Sequence, residues 1–316
     1  MSVVEPLSTA ILPVLSIAVV GYLLGTLRDV DVEPLATVTM YVLAPALVFH
    51  SLTTTDLGGG AIAGVVAGVV LFTLLMLGIS EGVGRALGEG EPHRSAFVLA
   101  STFPNSGNMG IPLSAFAFGV VGRSTAVLFL TAQSVLVYTI GLYVASRGRG
   151  SLRESLREVF RVPLVYAVVV AGLFRWLGLV PPAESTAMRT VGLVGDAAIP
   201  LLLVVLGIQL ANVEAGAALR RVAPVNVLKL VVAPAVGVAL VPVVGLVDPT
   251  VARTFVLECA TPAAITPLIF AIEFDVETTD DLSRSEYLST AILTTTLVSV
   301  PTLTVLLALL DAGLVV

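Results

Sequence analysis

Ten apolar stretches alternate with short polar ones along the whole chain. They lie near residues 6–27, 34–53, 58–80, 94–118, 122–145, 162–179, 187–211, 221–243, 252–274 and 286–310. Each approaches the roughly 20 residues that an α-helix needs to cross the hydrocarbon core of a bilayer. The pattern predicts an all-α membrane protein with ten transmembrane helices.

The ten spans read as one five-helix unit written twice. Phe97-Val98-Leu99 and Phe255-Val256-Leu257 each reach a proline seven residues after the Phe, at Pro104 and Pro262, 158 residues apart. Pro13 pairs with Pro163 and Pro45 with Pro200 at similar offsets. Five is odd, so the second copy enters the membrane from the opposite side. Such inverted-topology repeats are a common build of secondary transporters. The expected units are residues 1–145, a linker at 146–161, and residues 162–316.

The fourth and ninth spans carry residues that an unbroken helix does not tolerate. Between Pro104 and Pro112 lie Asn105, Gly107, Asn108 and Gly110; the ninth span holds Glu258, Thr261, Pro262, Thr266 and Pro267. Proline removes an N–H and disfavours helix one residue earlier, and glycine permits positive φ. Broken backbone survives at membrane depth only where protein buries it or a polar cavity lines it. Each break alone also reads as a plain kink without a ligand, the reading given to Pro45, Pro200 and Pro234. Matching breaks in two inverted repeats point instead to a binding site near the midplane. Half-helix N-termini there favour an anion, and freed carbonyls suit a small cation. The expected walls are Asn105, Gly107, Asn108 and Gly110 on one side and Thr261, Pro262 and Thr266 on the other. Pro104, Pro112, Pro262 and Pro267 form the crossover.

Composition agrees with a membrane protein. Hydrophobic residues make up 57% and charged residues 12%, about half the charge of a soluble domain. The single cysteine, Cys259, excludes an internal disulfide. Of the 16 cationic residues all but Lys229 are arginines, and the isoelectric point is 4.9. Acidic, lysine-poor loops suit a halophile facing very high salt, although a GC-rich genome also favours arginine. The absence of a basic stripe argues against nucleic acid as a partner. The start, Met1 to Glu5, has no basic residue, so the first apolar run reads as a retained helix rather than a cleaved signal.

Charge also sets the expected orientation. Arg28, Arg85, Arg94, Arg147, Arg149, Arg153, Arg157, Arg161, Arg220, Arg221 and Arg284 fall on the side of the 146–161 linker, where Glu154 and Glu158 accompany them. Arg123, Arg175, Arg189 and Arg253 fall on the other. The positive-inside rule then places the linker in the cytoplasm and both termini outside the cytoplasmic membrane.

A charge at the bilayer centre is costly, so Glu258 and Lys229 each need a reason. Glu258, four residues before Pro262, reads as a carrier of a coupling H⁺ or Na⁺, against a permanently hydrogen-bonded acid. Lys229 reads first as a snorkelling or structurally paired side chain and second as part of ion coupling. Asn226 shares its face, and Asp196 reads as a partner or a cap. Gln133 reads as interhelical glue, and His50 has a lesser reading as a pH sensor. Gly60, Gly64 and Gly68 form a small-residue stripe for packing within the chain, with a homodimer seam as the second reading. No metal site or cofactor is expected. No H-E-x-x-H, G-x-S-x-G or Walker-type loop occurs, so an enzyme is not expected. A channel or facilitative uniporter is the alternative to a carrier.

These residues carry a family resemblance. Asn105, Asn108, Gly110, Pro112, Gly119, Gly122, Pro262 and the Ile199-Pro200…Leu206-Gly207 pattern resemble the auxin efflux carrier family of permeases. That family includes the plant PIN auxin exporters and bacterial malonate and malate permeases, and the likeness covers nearly the whole chain. It implies a crossover fold like that of bile-acid/sodium symporters. It also implies a scaffold of spans 1, 2, 6 and 7 and a moving transport domain of spans 3–5 and 8–10. Plant auxin exporters usually carry a long central loop, whereas this linker has only 16 residues. The break also lacks an Asn in the ninth span. The expected function is alternating-access transport of a small carboxylate.

Overall fold

A computed structural model describes residues 7–55, 57–91, 93–146, 162–212, 217–273 and 282–316. Most of the linker, with Arg147, Arg149, Arg153, Glu154, Arg157, Glu158 and Arg161, lies outside the described residues, as does the Met1–Glu5 start. Among the described residues, helices dominate and are joined by short turns and extended segments. We number the main helices α1 (Ser8–Leu27), α2 (Val32–Thr54), α3 (Gly59–Ala86), α4 (His93–Thr102), α5 (Ser106–Ser146), α6 (Pro163–Trp176), α7 (Thr186–Ala211), α8 (Ala223–Val243), α9 (Pro249–Ala260), α10 (Thr266–Glu273) and α11 (Arg284–Asp311). Seven of these, among the described residues, are long and apolar enough to cross a membrane; α6 is apolar but shorter.

The fourth expected span is interrupted between α4 and α5, and the ninth between α9 and α10. The fifth follows without a loop, because α5 runs on through Gly119, whose φ of 62° puts a sharp bend in the helix. Only glycine adopts that conformation at no steric cost.

Prolines shape the other helices in a way that a simple kink does not describe. Four π-turns, Leu7–Ile11, Thr39–Leu43, Ser106–Gly110 and Leu228–Val232, each end two residues before a proline: Pro13, Pro45, Pro112 and Pro234. Proline has no N–H for the carbonyl four residues back, and its ring crowds that carbonyl. Widening the preceding turn relieves the crowding. The backbone shows it directly, since the N–H groups of Ala44, Ile111 and Ala233 donate to Thr39, Ser106 and Leu228, five residues earlier. Pro45 and Pro234 therefore mark π-turns. Pro200 follows the interruption of α7 at Ala197.

Two sets of helices pack together. In the first, α7 lies along α1 and α2, and α6 lies on α2. Glycines bring α1 and α7 into backbone contact: a β-carbon on Gly21 would run into the Val204 carbonyl, and one on Gly207 into the Ala18 carbonyl. In the second set, α3 packs on α4 and α5, α9 on α5 and α8, and α11 on α4 and α10. Its centre is aromatic, with the Phe129 ring 6.5 Å from Phe72 and 5.6 Å from Phe255. Of the glycine stripe, Gly68 rests on the Phe255 ring and Gly64 on Leu246 and the Val244 carbonyl, both within the chain; Gly60 faces open space.

Candidate functional site

The two interruptions meet. The extended segments after α4 and α9 run antiparallel and pair at Pro104 and Ala263. Asn105 N–H donates to the Pro262 carbonyl at 2.8 Å, and Ala264 N–H donates to the Phe103 carbonyl at 2.9 Å. Each break thus satisfies part of the other's backbone, as buried polar groups in an apolar medium require.

The remaining freed groups are taken by side chains. The Pro104 carbonyl accepts from Gln133 Nε2 at 2.7 Å, and Gln133 Oε1 accepts from Ser106 Oγ at 2.8 Å. Gln133 thereby ties the break to the later part of α5. Ala263 N–H donates to Thr295 Oγ1 of α11 at 3.1 Å. That leaves the Cys259 carbonyl without its helical donor, and Lys229 Nζ donates to it at 3.4 Å. Lys229 is fully buried, with its Nζ 5.6 Å from the centre of the Phe72 ring. It does not snorkel: the carbonyl and the ring hold it inside the helix bundle.

Asn105 caps the second half of the broken span. Its Oδ1 accepts the Asn108 N–H at 3.3 Å. With the oxygen committed, the amide nitrogen is the free end, and Asn105 Nδ2 is a buried donor without a hydrogen-bond partner. A buried donor in that condition calls for a ligand or water.

A cavity of about 210 Å³ opens beside the crossing. Asn105, Ser106, Gly107 and Asn108 line it at the N-terminus of α5, and Ile265 and Thr266 at the N-terminus of α10. Thr39, Met40 and Tyr138 bring two further π-turns to it, Thr39–Leu43 and Val137–Gly141. π-turns inside α-helices are frequent at functional sites. Leu130, Val162, Leu164, Leu202, Val205 and Ile269 make the rest apolar, and among the described residues no Lys, Arg, His, Asp or Glu lines it.

Asn105, Gly107, Asn108, Thr266 and Pro104 therefore share one cavity, while Gly110, Pro112, Thr261, Pro262, Pro267, Glu258 and Lys229 do not line it. Thr261 turns its hydroxyl to the Glu258 carbonyl at 2.9 Å. Glu258 is fully buried; Ser114 Oγ donates to its Oε1 at 2.7 Å, its Oε2 has no partner, and its carboxyl lies against Gly110. Asp196 pairs with Arg123 at 2.6 Å. Ser124 Oγ donates to the Ser51 carbonyl at 3.2 Å, and His50 rests against Gly192. Asn226 donates to Thr294 Oγ1.

Gln209 on α7 was not singled out by the sequence pattern. Its Oε1 accepts from Asn108 Nδ2 at 3.3 Å, and it lines the cavity opposite the break. A lone Gln near a helix end reads as solvated; only its position in the Ile208–Leu210 apolar run hinted at more.

Comparison with known proteins points to membrane transport. The model of the membrane transport protein family matches residues 6–153 and 146–307. An uncharacterized transporter of Methanothermobacter thermautotrophicus is 29% identical over 303 residues, which cover 94% of this chain and 97% of the relative. The chain belongs to the membrane transport protein family and is a multi-pass membrane protein, a transporter rather than an enzyme.

Proposed function

We propose that this transporter is a secondary carrier that moves a small organic anion across the cytoplasmic membrane by alternating access. The observation that carries the reading is Asn105 Nδ2, a buried, unpartnered donor at a cavity where two half-helix N-termini converge. Helix N-termini and amide donors stabilise a carboxylate without a fixed cation. A site built of neutral dipoles also releases its ligand more readily than a buried ion pair, which a carrier needs.

The crossing supports a ten-span inverted repeat. In this reading α4 with the start of α5, and α9 with α10, each count as one broken span, and Gly119 separates the fourth span from the fifth. The two packed sets of helices then correspond to a scaffold (α1, α2, α6, α7) and a transport domain (the rest). The Gly21–Gly207 seam stiffens the scaffold. The likeness to auxin efflux carriers, with their plant auxin exporters and bacterial malonate and malate permeases, favours a carboxylate.

The cavity is lined by the start of α2, the start of α6 and the end of α7, all on the linker side. At the other end, Arg123–Asp196 and Ser124–Ser51 join the two sets of helices. With the linker in the cytoplasm and both termini outside, this is an inward-facing state. Glu258, close behind the break through Gly110, is our candidate for coupling to H⁺ or Na⁺, and Lys229 holds the cation position on the Cys259 carbonyl.

Uptake by purified protein in liposomes tests the reading. Malonate, malate, propionate and indole-3-acetate are offered at two pH values, with and without Na⁺. Saturable uptake of at least one is expected. Flux that rises linearly without saturating would instead identify a channel.

A further inference from the structure

Asn108 and Gln209 face each other across the cavity from the two sets of helices. Asn108 Nδ2 donates to Gln209 Oε1 at 3.3 Å, longer than the usual 2.9–3.0 Å for such a bond. Both residues line the cavity, and both are only partly buried. Arg123–Asp196 also links α5 to α7, at the other end of the helices, whereas this bond lies at the ligand cavity.

We propose that Gln209 is a resident competitor for the substrate: its amide oxygen occupies on Asn108 the position that a substrate carboxylate takes. The inference rests on the anion-carrier reading and adds its regulation. The amide oxygen is a neutral acceptor held at a long distance. A carboxylate makes charge-assisted bonds to the same donor, roughly twice as strong, so substrate displaces Gln209. Two consequences follow from the location on opposite sets of helices. An empty site keeps α5 tied to α7, which restrains movement of the unloaded carrier. Substrate entry releases the tie, so movement and loading are linked through one hydrogen bond.

The geometry also sets the specificity of displacement. A solute that lacks an acceptor stronger than an amide does not dislodge Gln209. Neutral alcohols and amides of the right size are therefore excluded, although the apolar part of the cavity would accommodate them.

Three variants test this in liposomes, with indole-3-acetate and malonate as probes. Gln209→Leu fills similar space without an acceptor. It is expected to lower KM by about threefold to tenfold, the worth of one net hydrogen bond, and to raise exchange-independent leak. Gln209→Glu places a fixed carboxylate against Asn108 and is expected to abolish uptake. Gln209→Asn keeps an amide but shortens the side chain by one methylene, so it reaches Asn108 less well and is expected to lower KM in the same direction as Gln209→Leu. A purely structural Gln209 would give Gln209→Leu and Gln209→Asn an unchanged or higher KM, and that result overturns the proposal while leaving the anion-carrier reading intact. Absence of any carboxylate uptake by the unaltered protein overturns both.

Discussion

The carboxyl of Glu258 lies against the α-carbon of Gly110, with no room between them for a β-carbon. The contact joins the two broken spans one layer behind the cavity. It explains why glycine stands at this point of the Ser106–Gly110 π-turn, where backbone angles alone do not demand it. Gly110→Ala must push the acid or the turn aside. Overpacking of this kind costs about 1–3 kcal/mol, so a lower melting temperature in detergent is expected. Glu258→Ala in the same chain should restore part of the loss, because the two positions share one space. A Gly110→Ala protein that melts like the parent would refute the contact.

Asn105 does two jobs that can be separated. Asn105→Ala removes the cap on Asn108 N–H, and loss of a helix cap costs about 0.5–2 kcal/mol. Asn105→Asp keeps an acceptor for that N–H. Thermal melting should therefore rank Asn105→Ala below Asn105→Asp.

Lys229 completes the backbone accounting of the ninth span. Lys229→Met keeps the apolar stem and leaves the Cys259 carbonyl with no donor. A buried unsatisfied acceptor costs about 1–3 kcal/mol. Because relief from burying the ammonium offsets part of this, the test is transport: uptake is expected to fall even where the protein still purifies as a folded species. Full uptake by Lys229→Met would show that the carbonyl needs no cation.

Much of this architecture was legible in the chain. The breaks at Pro104–Pro112 and Pro262–Pro267 were visible because proline and glycine act on the backbone locally, whatever surrounds them. Glu258 stood out because a carboxylate in an apolar run is expensive. The π-turns before Pro13, Pro45, Pro112 and Pro234 were not legible, since a proline signals only that the turn before it must yield, and packing decides between a kink and a wider turn. The burial of Lys229 was missed for a related reason. A lysine near a helix end ordinarily reaches water, and only the three-dimensional neighbourhood reveals a carbonyl with no donor. The Asn108–Gln209 contact spans 101 positions in sequence, and nothing local announces it.

Glu258→Gln isolates coupling. The variant keeps an oxygen for the Ser114 hydroxyl and cannot exchange a proton or bind Na⁺ with a charge. Uptake by this variant should lose its dependence on pH or Na⁺, whichever the parent shows. A parent-like dependence would end the coupling role of Glu258.

The most direct test of the central claim is the substrate-induced current of Asn105→Asp in liposomes beside that of the unaltered protein, over a concentration series of malonate and indole-3-acetate. Asn105→Asp preserves the cap and deletes the buried, unpartnered side-chain donor at the cavity. The account predicts a saturable current from the unaltered protein and none from the variant at matched protein load and melting temperature. An Asn105→Asp current with unchanged amplitude and half-saturation would contradict it, because the anion would then bind without the donor on which the site is built.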